Sequence, residues 1–447
     1  MHTTPFPLHI PAAPRAIMDT LKAAGHEAFA VGGCVRDALL GRAPEDWDLA
    51  TAATPEAVRE TLERARMKVI DTGLKHGTVT AILGGEAVEV TTYRVDGPYR
   101  DGRRPEHVAF TADLSGDLAR RDFTLNAMAC DGALLVDPFG GRADLQARVI
   151  RAVGVPEVRF REDGLRVLRA LRFAAKLDFQ IELETADALR RCAPMLEKIA
   201  GERIRKELLS LLCGPGAGRI VRDYTDILSV IIPEIIPAVG FDQHNRHHIY
   251  DVWEHTLRAV EAAPPDPVVR LVMLLHDLGK PPTFSLDAKA TGHFYGHGEH
   301  SRRLAAGILD RLHMDAATRD RVLTLIKYHD SDVLATPPSL KRWLRRLGRE
   351  GLMQLIAVKR ADNLAQSPAH SRQAELDALE AAIDALEAEP LILRPADLAI
   401  SGVDLLALGM PQGPQLGRVL ETLLEAVTDG ACENTREALL TLARSML

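Results

Sequence analysis

The chain has 447 residues, is 46% hydrophobic but only 4% aromatic, and carries a formal net charge of −7. That length exceeds what one hydrophobic core supports, so about two to four domains are expected, and the acidic balance excludes an overall basic coat while leaving room for one basic face. No run of about 18 apolar residues argues for a membrane span, Met1 to Pro14 lacks the basic-then-apolar order of a signal peptide, and the five scattered cysteines read as reduced cytoplasmic thiols without a zinc motif.

Ala28 to Val31 reads as a short strand, ended by Gly32-Gly33, where the backbone can turn tightly against a ligand. Arg36 and Asp37 open a helix, and the N–H groups of such a junction suit a phosphate. Asp46 and Asp48 follow; on an extended segment residues i and i+2 face the same side. Two adjacent carboxylates repel unless a divalent cation lies between them, which suits Mg2+. A turn followed by a solvated acidic loop is the alternative. In this order and spacing the two pieces resemble the signature of the nucleotidyltransferase superfamily that includes DNA polymerase β.

Thr54-Pro55-Glu56 caps a helix running to about Ala65. Val79 to Leu83 and Ala87 to Thr92 are strands joined by Gly84-Gly85, a type I′ or II′ hairpin signal. Val88, Val90 and Thr92 share one face of the second strand. Glu89 takes the other face, as a third carboxylate candidate beside Asp46 and Asp48 or as an exposed strand residue. Residues 94 to 110, rich in Gly, Pro and Arg, read as a flexible loop. After Arg120 to Ala127, a second hairpin turns at Asp131-Gly132, and Asp137 to Gly141 closes the mixed region.

Beyond residue 141 helical periodicity dominates. Glu162 to Leu177 reads as one amphipathic helix with Leu165, Leu168 and Leu171 on one side. Asp163, Arg166, Arg169 and Arg172 line another side, an arrangement that points to a ligand. A further helix starts at Gly201. Basic residues cluster from Arg148 to Lys176 and from Lys341 to Arg349. The second run is either a nucleic-acid face or an amphipathic helix surface.

Together Gly32-Gly33-x-x-Arg36-Asp37, Asp46-x-Asp48, Arg120-Arg121-Asp122-Phe123-Thr124-x-Asn126-Ala127, Asp137 to Gly141, Glu162-Asp163-x-x-Arg166-x-x-Arg169-x-x-Arg172-Phe173 and Glu202-Arg203-Ile204-x-Lys206-Glu207 resemble the successive motifs of class II tRNA nucleotidyltransferases. This family holds the bacterial CCA-adding enzymes and poly(A) polymerases, and the match spans roughly residues 25 to 215. The resemblance implies an α+β head with a polymerase β-like mixed sheet, followed by an all-α neck, body and further helical domain. It implies that Asp46 and Asp48 bind catalytic Mg2+, with Glu89 as third carboxylate, in a two-metal transfer to an RNA 3′-OH. Gly33, Arg36 and Arg121 would hold the triphosphate, Asp163 and Arg166 would read the base, and Arg169 and Arg172 would touch sugar or phosphate. Cytosine and adenine share an exocyclic amine beside a ring acceptor, which a carboxylate and a guanidinium can pair. Uracil and guanine would leave the carboxylate unpaired.

Most of the sixteen histidines lie between His244 and His370. His255 sits on a helix beginning near Asp251, and Leu271 to Lys280 reads as an apolar helix ending in His276-Asp277-Leu278-Gly279-Lys280. His297, His329 and Asp362 follow, with His297 a better fit than His300. The order resembles the HD-domain metal phosphohydrolases. It implies one or two ions held by His255, His276, Asp277, His297, His329 and Asp362, with Ni2+, Co2+, Mn2+ or Fe2+ favoured by imidazole ligands; a structural role for any single histidine is the alternative. The expected segments are a catalytic head 1–140, a base- and RNA-binding neck 141–215, a connector 216–245, an HD domain 246–370 and a helical tail 371–447.

The leading function is template-independent addition of CMP and AMP to tRNA 3′ ends from CTP and ATP, in the cytoplasm, by a monomer or homodimer without membrane association. A poly(A) polymerase or A-adding partial enzyme is the near alternative. CC-only addition is disfavoured by the long loop at 94–110, whose loss marks such enzymes in the family. An HD phosphohydrolase with a nucleotide- or RNA-binding head is the alternative of another class.

Overall fold

Short strands interleaved with helices build the chain as far as Val136, and the rest is almost entirely helical. The structure, a computed structural model, describes residues 3–73, 77–97, 108–244, 249–388 and 391–446. Contacts divide it into two units, Met1–Pro233 and Glu234–Leu447.

In chain order the strands of the first unit begin with β1 (Thr3–Pro5), β2 (Ala28–Val31), β3 (Asp48–Thr51), β4 (Lys68–Gly73), β5 (Thr78–Leu83) and β6 (Glu86–Thr92). They continue with β7 (Arg94–Asp96), β8 (Val108–Phe110), β9 (Ala129–Cys130) and β10 (Leu134–Val136). Eight of them form one sheet in the order β1-β10-β9-β2-β3-β6-β5-β4. Its neighbours are antiparallel except β3 and β6, which run parallel. Helices Ala12–Ala23 and Pro55–Arg64 pack on the sheet, burying Ile17, Leu21, Val58 and Leu62. Thr54 caps the second of these, its hydroxyl accepting the Ala57 N–H at 3.3 Å. Gly84 and Gly85 both take positive φ, +62° and +88°, as a type I′ hairpin turn requires.

Two expectations change here. The segment 94–110 is not loop throughout, because its ends pair as β7 and β8, Arg94 opposite Phe110 and Asp96 opposite Val108; residues 98–107 lie outside the described residues. The single helix expected from Glu162 to Leu177 is two helices, Pro156–Glu162 and Leu165–Leu177. Asp163 stands between them in an extended conformation, φ −143° and ψ 106°. Its carboxylate accepts the N–H of Leu165 at 3.1 Å, a local bond that competes with the helix ladder, and Gly164 adds little helical preference. Asp163 therefore sits off the helix that carries Arg166, Arg169 and Arg172.

The second unit is helical apart from a short hairpin of Ser285–Leu286 and Gly292–His293. Asp251 caps the helix Val252–Ala262, accepting the N–H groups of Trp253 and Glu254. The apolar helix expected through Lys280 stops at Leu275, and His276 and Asp277 lie in the turn beyond it. Gly279 and the Pro281-Pro282 pair, which lacks N–H donors, explain the stop. Helix Pro337–Leu364 breaks at Gly348, where φ is +68°, and its second part carries Asp362. The basic run on its first part is largely neutralised within the unit. Arg342 pairs with Asp429 at 3.2 Å, Arg345 with Glu421 at 2.6 Å and Arg349 with Asp384 at 2.9 Å, while Arg346 lies over the rings of Tyr328 and Trp343. It is an amphipathic helix surface more than an open cationic face. The C-terminal helices close a small core of their own around Leu405, Leu423, Leu424 and Leu439.

Candidate active site and metal centre

At the end of β2, Gly32 takes φ +78° and ψ −124°, a conformation that suits glycine alone. A Cβ there would lie 2.7 Å from Arg121 Nη1, so the glycine makes room for that guanidinium. Arg36, only 8% exposed, donates from Nη1 to Asn126 Oδ1 at 2.8 Å and grips Asp37 through Nε and Nη2.

Asp48 and Glu89 are register partners on the parallel strands β3 and β6. Each is exposed while its strand neighbours Leu49, Val88 and Val90 are buried, so the two carboxylates share the polar face. The surrounding protein and the charge of Glu89 raise the Asp48 carboxyl above its ordinary range, Arg121 opposes the rise, and Asp46 adds to it. Among the described residues, Asp46, Asp48 and Glu89 do not bring three ligand atoms within 4.8 Å of one another. Two like-charged carboxylates side by side on adjacent strands, Asp48 and Glu89, are what a hard divalent cation relieves, and this all-oxygen pair fits Mg2+.

A pocket of about 460 Å³ opens beside Asp48, lined by Gly32, Gly33, Arg36, Arg120, Arg121, Asp122, Asn126, Asp163, Leu165, Arg166, Arg169, Phe173 and Arg203. Asp163 accepts from Arg203 Nη2 at 2.8 Å through its second oxygen. Arg166 donates to Glu162 and to the carbonyls of Arg159 and Arg120 at 3.0 and 3.2 Å. Arg169 makes a two-pronged contact with Asp122 at 2.8 and 2.6 Å. Burial alone would raise the Asp122 carboxyl, but Arg169 and Asn126 outweigh burial and bring it down to about 2. Arg172 is bound to Glu207 and lies over the Phe173 ring, outside the pocket lining. Asp46 and Glu89 also stand outside that lining. Asp122, Asn126, Arg203 and Glu207 were visible only as members of the quoted motifs; nothing in their spacing announced their contacts.

In the second unit His255, His276, Asp277 and Asp362 form one group of mutually close ligand atoms, and Asp277, His297 and His329 form another. Asp277 is common to both. Each imidazole turns Nδ1 to a backbone carbonyl: His255 to Ala365 at 3.3 Å, His276 to Met273 at 2.8 Å, His297 to Phe294 at 2.9 Å and His329 to Ile326 at 2.7 Å. That arrangement selects the Nδ1–H tautomer and leaves each Nε2 lone pair directed inward. His297 Nε2 and His329 Nε2 lie 3.2 Å apart, and His276 Nε2 and Asp277 Oδ1 are buried without hydrogen-bond partners, while Asp277 Oδ2 faces the Lys280 ammonium. Bare acceptors facing one another in a buried site suit a cation, and this imidazole-carboxylate set suits a first-row divalent metal. Lys280, which sequence reasoning passed over, reaches Asp277 at 2.7 Å and Gln243 at 2.9 Å. His300 is in neither group.

A mixed sheet with paired carboxylates at an arginine-lined pocket, continued by helices, defines a nucleotidyltransferase. Residues 28–151 match the Poly A polymerase head domain family, 178–238 the family described as "Probable RNA and SrmB- binding site of polymerase A", and 299–443 a tRNA nucleotidyltransferase domain 2 family. The CCA-adding enzyme of Lactobacillus helveticus (strain DPC 4571) is 35% identical over 434 residues, 95% of this chain and 94% of that protein. That of Geobacillus stearothermophilus is 49% identical over 204 residues, 45% of this chain and 50% of that protein. The crystal structure of the Bacillus stearothermophilus CCA-adding enzyme in complex with CTP superposes with a TM-score of 0.72 at 30% identity, covering 97% of this chain and 96% of that one. The chain belongs to the family of CCA-adding enzymes, the class II tRNA nucleotidyltransferases.

Proposed function

We propose that the protein adds C, C and A to tRNA 3′ ends without a nucleic-acid template, consuming CTP and ATP and releasing pyrophosphate. The observation that carries this reading is one pocket shared by Asp48, the arginines Arg36 and Arg121, and the Asp163–Arg166 pair. Asp46, Asp48 and Glu89 would hold Mg2+, which when bound supplies activation of the 3′-OH and stabilisation of the leaving pyrophosphate. Gly33 leaves room for the triphosphate, and Arg36 and Arg121 meet its charge. Both Asp163 oxygens already accept one bond and keep lone-pair capacity for the amine of cytosine or adenine. Arg166 donates to the ring acceptor, and Arg169 meets sugar or phosphate. The head is 1–140, the neck 141–215, the connector 216–245, the HD domain 246–370 and the tail 371–447. No helix among the described residues is long and apolar enough to cross a membrane, and we place the reaction in the cytoplasm.

Incubation with tRNA lacking CCA and each labelled nucleotide tests the reading. Ordered incorporation of two C and one A is expected; A alone, or a long A tail, would instead make the protein an A-adding enzyme or a poly(A) polymerase.

The inward-facing Nε2 atoms favour a second activity, phosphoester hydrolysis at the HD site. His255, His276, Asp277, His297, His329 and Asp362 would hold Ni2+, Co2+ or Mn2+, which when bound supplies polarisation of a phosphoryl oxygen and an acidified water. Opening a 2′,3′-cyclic phosphate forms one P–O bond from water, breaks one P–O ester bond and leaves the proton on the released hydroxyl. Such opening would be lost in His276→Ala or Asp277→Ala while CCA addition survives. Failure to cleave any phosphoester under every metal tried would leave the HD site structural.

A further inference from the structure

The HD centre opens into a cavity of about 370 Å³, within the roughly 300–1,000 Å³ typical of small-molecule sites. Its lining runs from Asp277, His297 and His329 to Phe294 and Tyr295. Tyr295 is 76% exposed, unusual for so large a ring. It does not hang free: it lies parallel to the His293 imidazole, with centroids 5.3 Å apart and planes within 7°.

The shelf beneath it is braced. His293 Nε2 meets Asp287 Oδ2 at 3.1 Å. The other Asp287 oxygen accepts the N–H groups of Lys289 and Thr291 at 2.8 and 2.9 Å, closing the hairpin of Ser285–Leu286 and Gly292–His293. The Gly292 N–H donates to the His244 carbonyl at 2.8 Å, and a Cβ on Gly292 would fall 2.1 Å from the Gln243 carbonyl oxygen. Backbone therefore meets backbone where the hairpin docks. Two residues beyond Tyr295 comes His297, its Nδ1 fixed on the Phe294 carbonyl. The five residues from His293 to His297 thus carry both the aromatic stack and a metal-site imidazole.

A surface tyrosine on a loop gains little for folding from stacking on a half-exposed, carboxylate-bound imidazole. A ring presented flat beside a phosphoester site can instead take a base. We propose that the His293–Tyr295 stack is the base-binding shelf of the HD site. The base lies on Tyr295 and the phosphoryl group reaches Asp277, His297, His329 and Lys280. This rests on reading the centre as a metal-dependent phosphohydrolase and adds which part of the substrate is recognised. Aromatic stacking tolerates any base, because every base has a π-face. The shelf therefore selects nucleotides over simple phosphoesters without choosing among the bases.

The test uses the full-length protein loaded with Mn2+ and two probes, uridine 2′-monophosphate and inorganic phosphate, measured by equilibrium dialysis. Uridine is chosen because the head pocket is read as rejecting it. Tyr295→Ala is expected to weaken uridine monophosphate about tenfold, with phosphate affinity and bound manganese unchanged, and Tyr295→Trp to restore binding. In turnover, the KM for a 2′,3′-cyclic nucleotide should rise with kcat held, while glycerol 2-phosphate is unaffected. Uridine monophosphate affinity left unchanged by Tyr295→Ala overturns the shelf, whatever the metal content. Manganese absent from the wild-type protein overturns the phosphohydrolase reading, whatever the nucleotide does.

Discussion

Replacing Asp122 by Asn removes one charge and almost no volume. Oδ1 keeps its bonds from the Phe123 N–H and from Asn126 Nδ2, at 2.9 and 3.2 Å. The atom that receives Arg169 Nε and Nη2 becomes an NH2 donor facing two donors. In the folded protein the carboxyl lies at about 2, against roughly 3.9 in an unfolded chain, a difference of about 2.5 kcal/mol. The Arg169 side chain is 34% exposed, so solvent takes back part of this, and a net cost of about 1–2 kcal/mol is expected rather than the 3–5 of a fully buried broken pair. Because the folded value is the lower one, the stabilisation is complete above about pH 4 and disappears as pH falls toward 2. Hydrogen exchange of the Leu165–Leu177 amides reads the effect. Protection should fall about tenfold at neutral pH, with the gap to wild type narrowing on acidification. The KM for CTP and ATP should rise as Arg169 loses its orientation. Unchanged protection with unchanged KM would refute the role given to this ion pair.

Asp48→Ala and Asp46→Ala should abolish nucleotide incorporation with folding intact by circular dichroism; activity within about tenfold of wild type, 1.4 kcal/mol of barrier, would contradict a metal-binding role. Asp163→Ala should relax discrimination against UTP and GTP more than it raises the KM for the triphosphate, and single-nucleotide incorporation assays would instead point to another selector if selectivity held. Gly32→Ala forces a Cβ to 2.7 Å from Arg121 Nη1 at a φ of +78°, so about 1–3 kcal/mol of strain should show as a lowered melting temperature and weakened triphosphate binding. Elemental analysis should find up to two transition-metal ions per chain. Asp277→Ala should lose both, and His329→Ala one; equal loss in the two variants would contradict separate positions joined through Asp277.

Period-two alternation made the polar face around Asp48 and Glu89 legible, because a strand assigns its faces residue by residue. Their pairing was legible only as a possibility, since no local signal says that β3 and β6 run side by side. The break at Asp163 was hidden by a continuous leucine repeat; one side-chain bond to the Leu165 N–H outweighed it. The His and Asp residues that cluster in the second unit could be read from their order along the chain, whereas Lys280 and the His293–Tyr295 stack depend on how a hairpin docks. The choice between a nucleic-acid face and an amphipathic helix surface at 341–349 stayed open for a similar reason, the partners Glu421 and Asp429 lying far along the chain.

The arginines around the candidate nucleotide pocket come already partnered: Arg36 with Asp37, Arg166 with Glu162 and Arg169 with Asp122. A triphosphate entering such a pocket does not land on bare positive charge. It competes with resident carboxylates and takes donors over from them, an exchange of ion pairs. Salt screens the ion pair that is lost as well as the one that is gained, so the two effects partly cancel. Nucleotide affinity should therefore vary less steeply with ionic strength than the number of arginines suggests, and stray polyanions, which must displace the same carboxylates without the base contacts, gain little foothold.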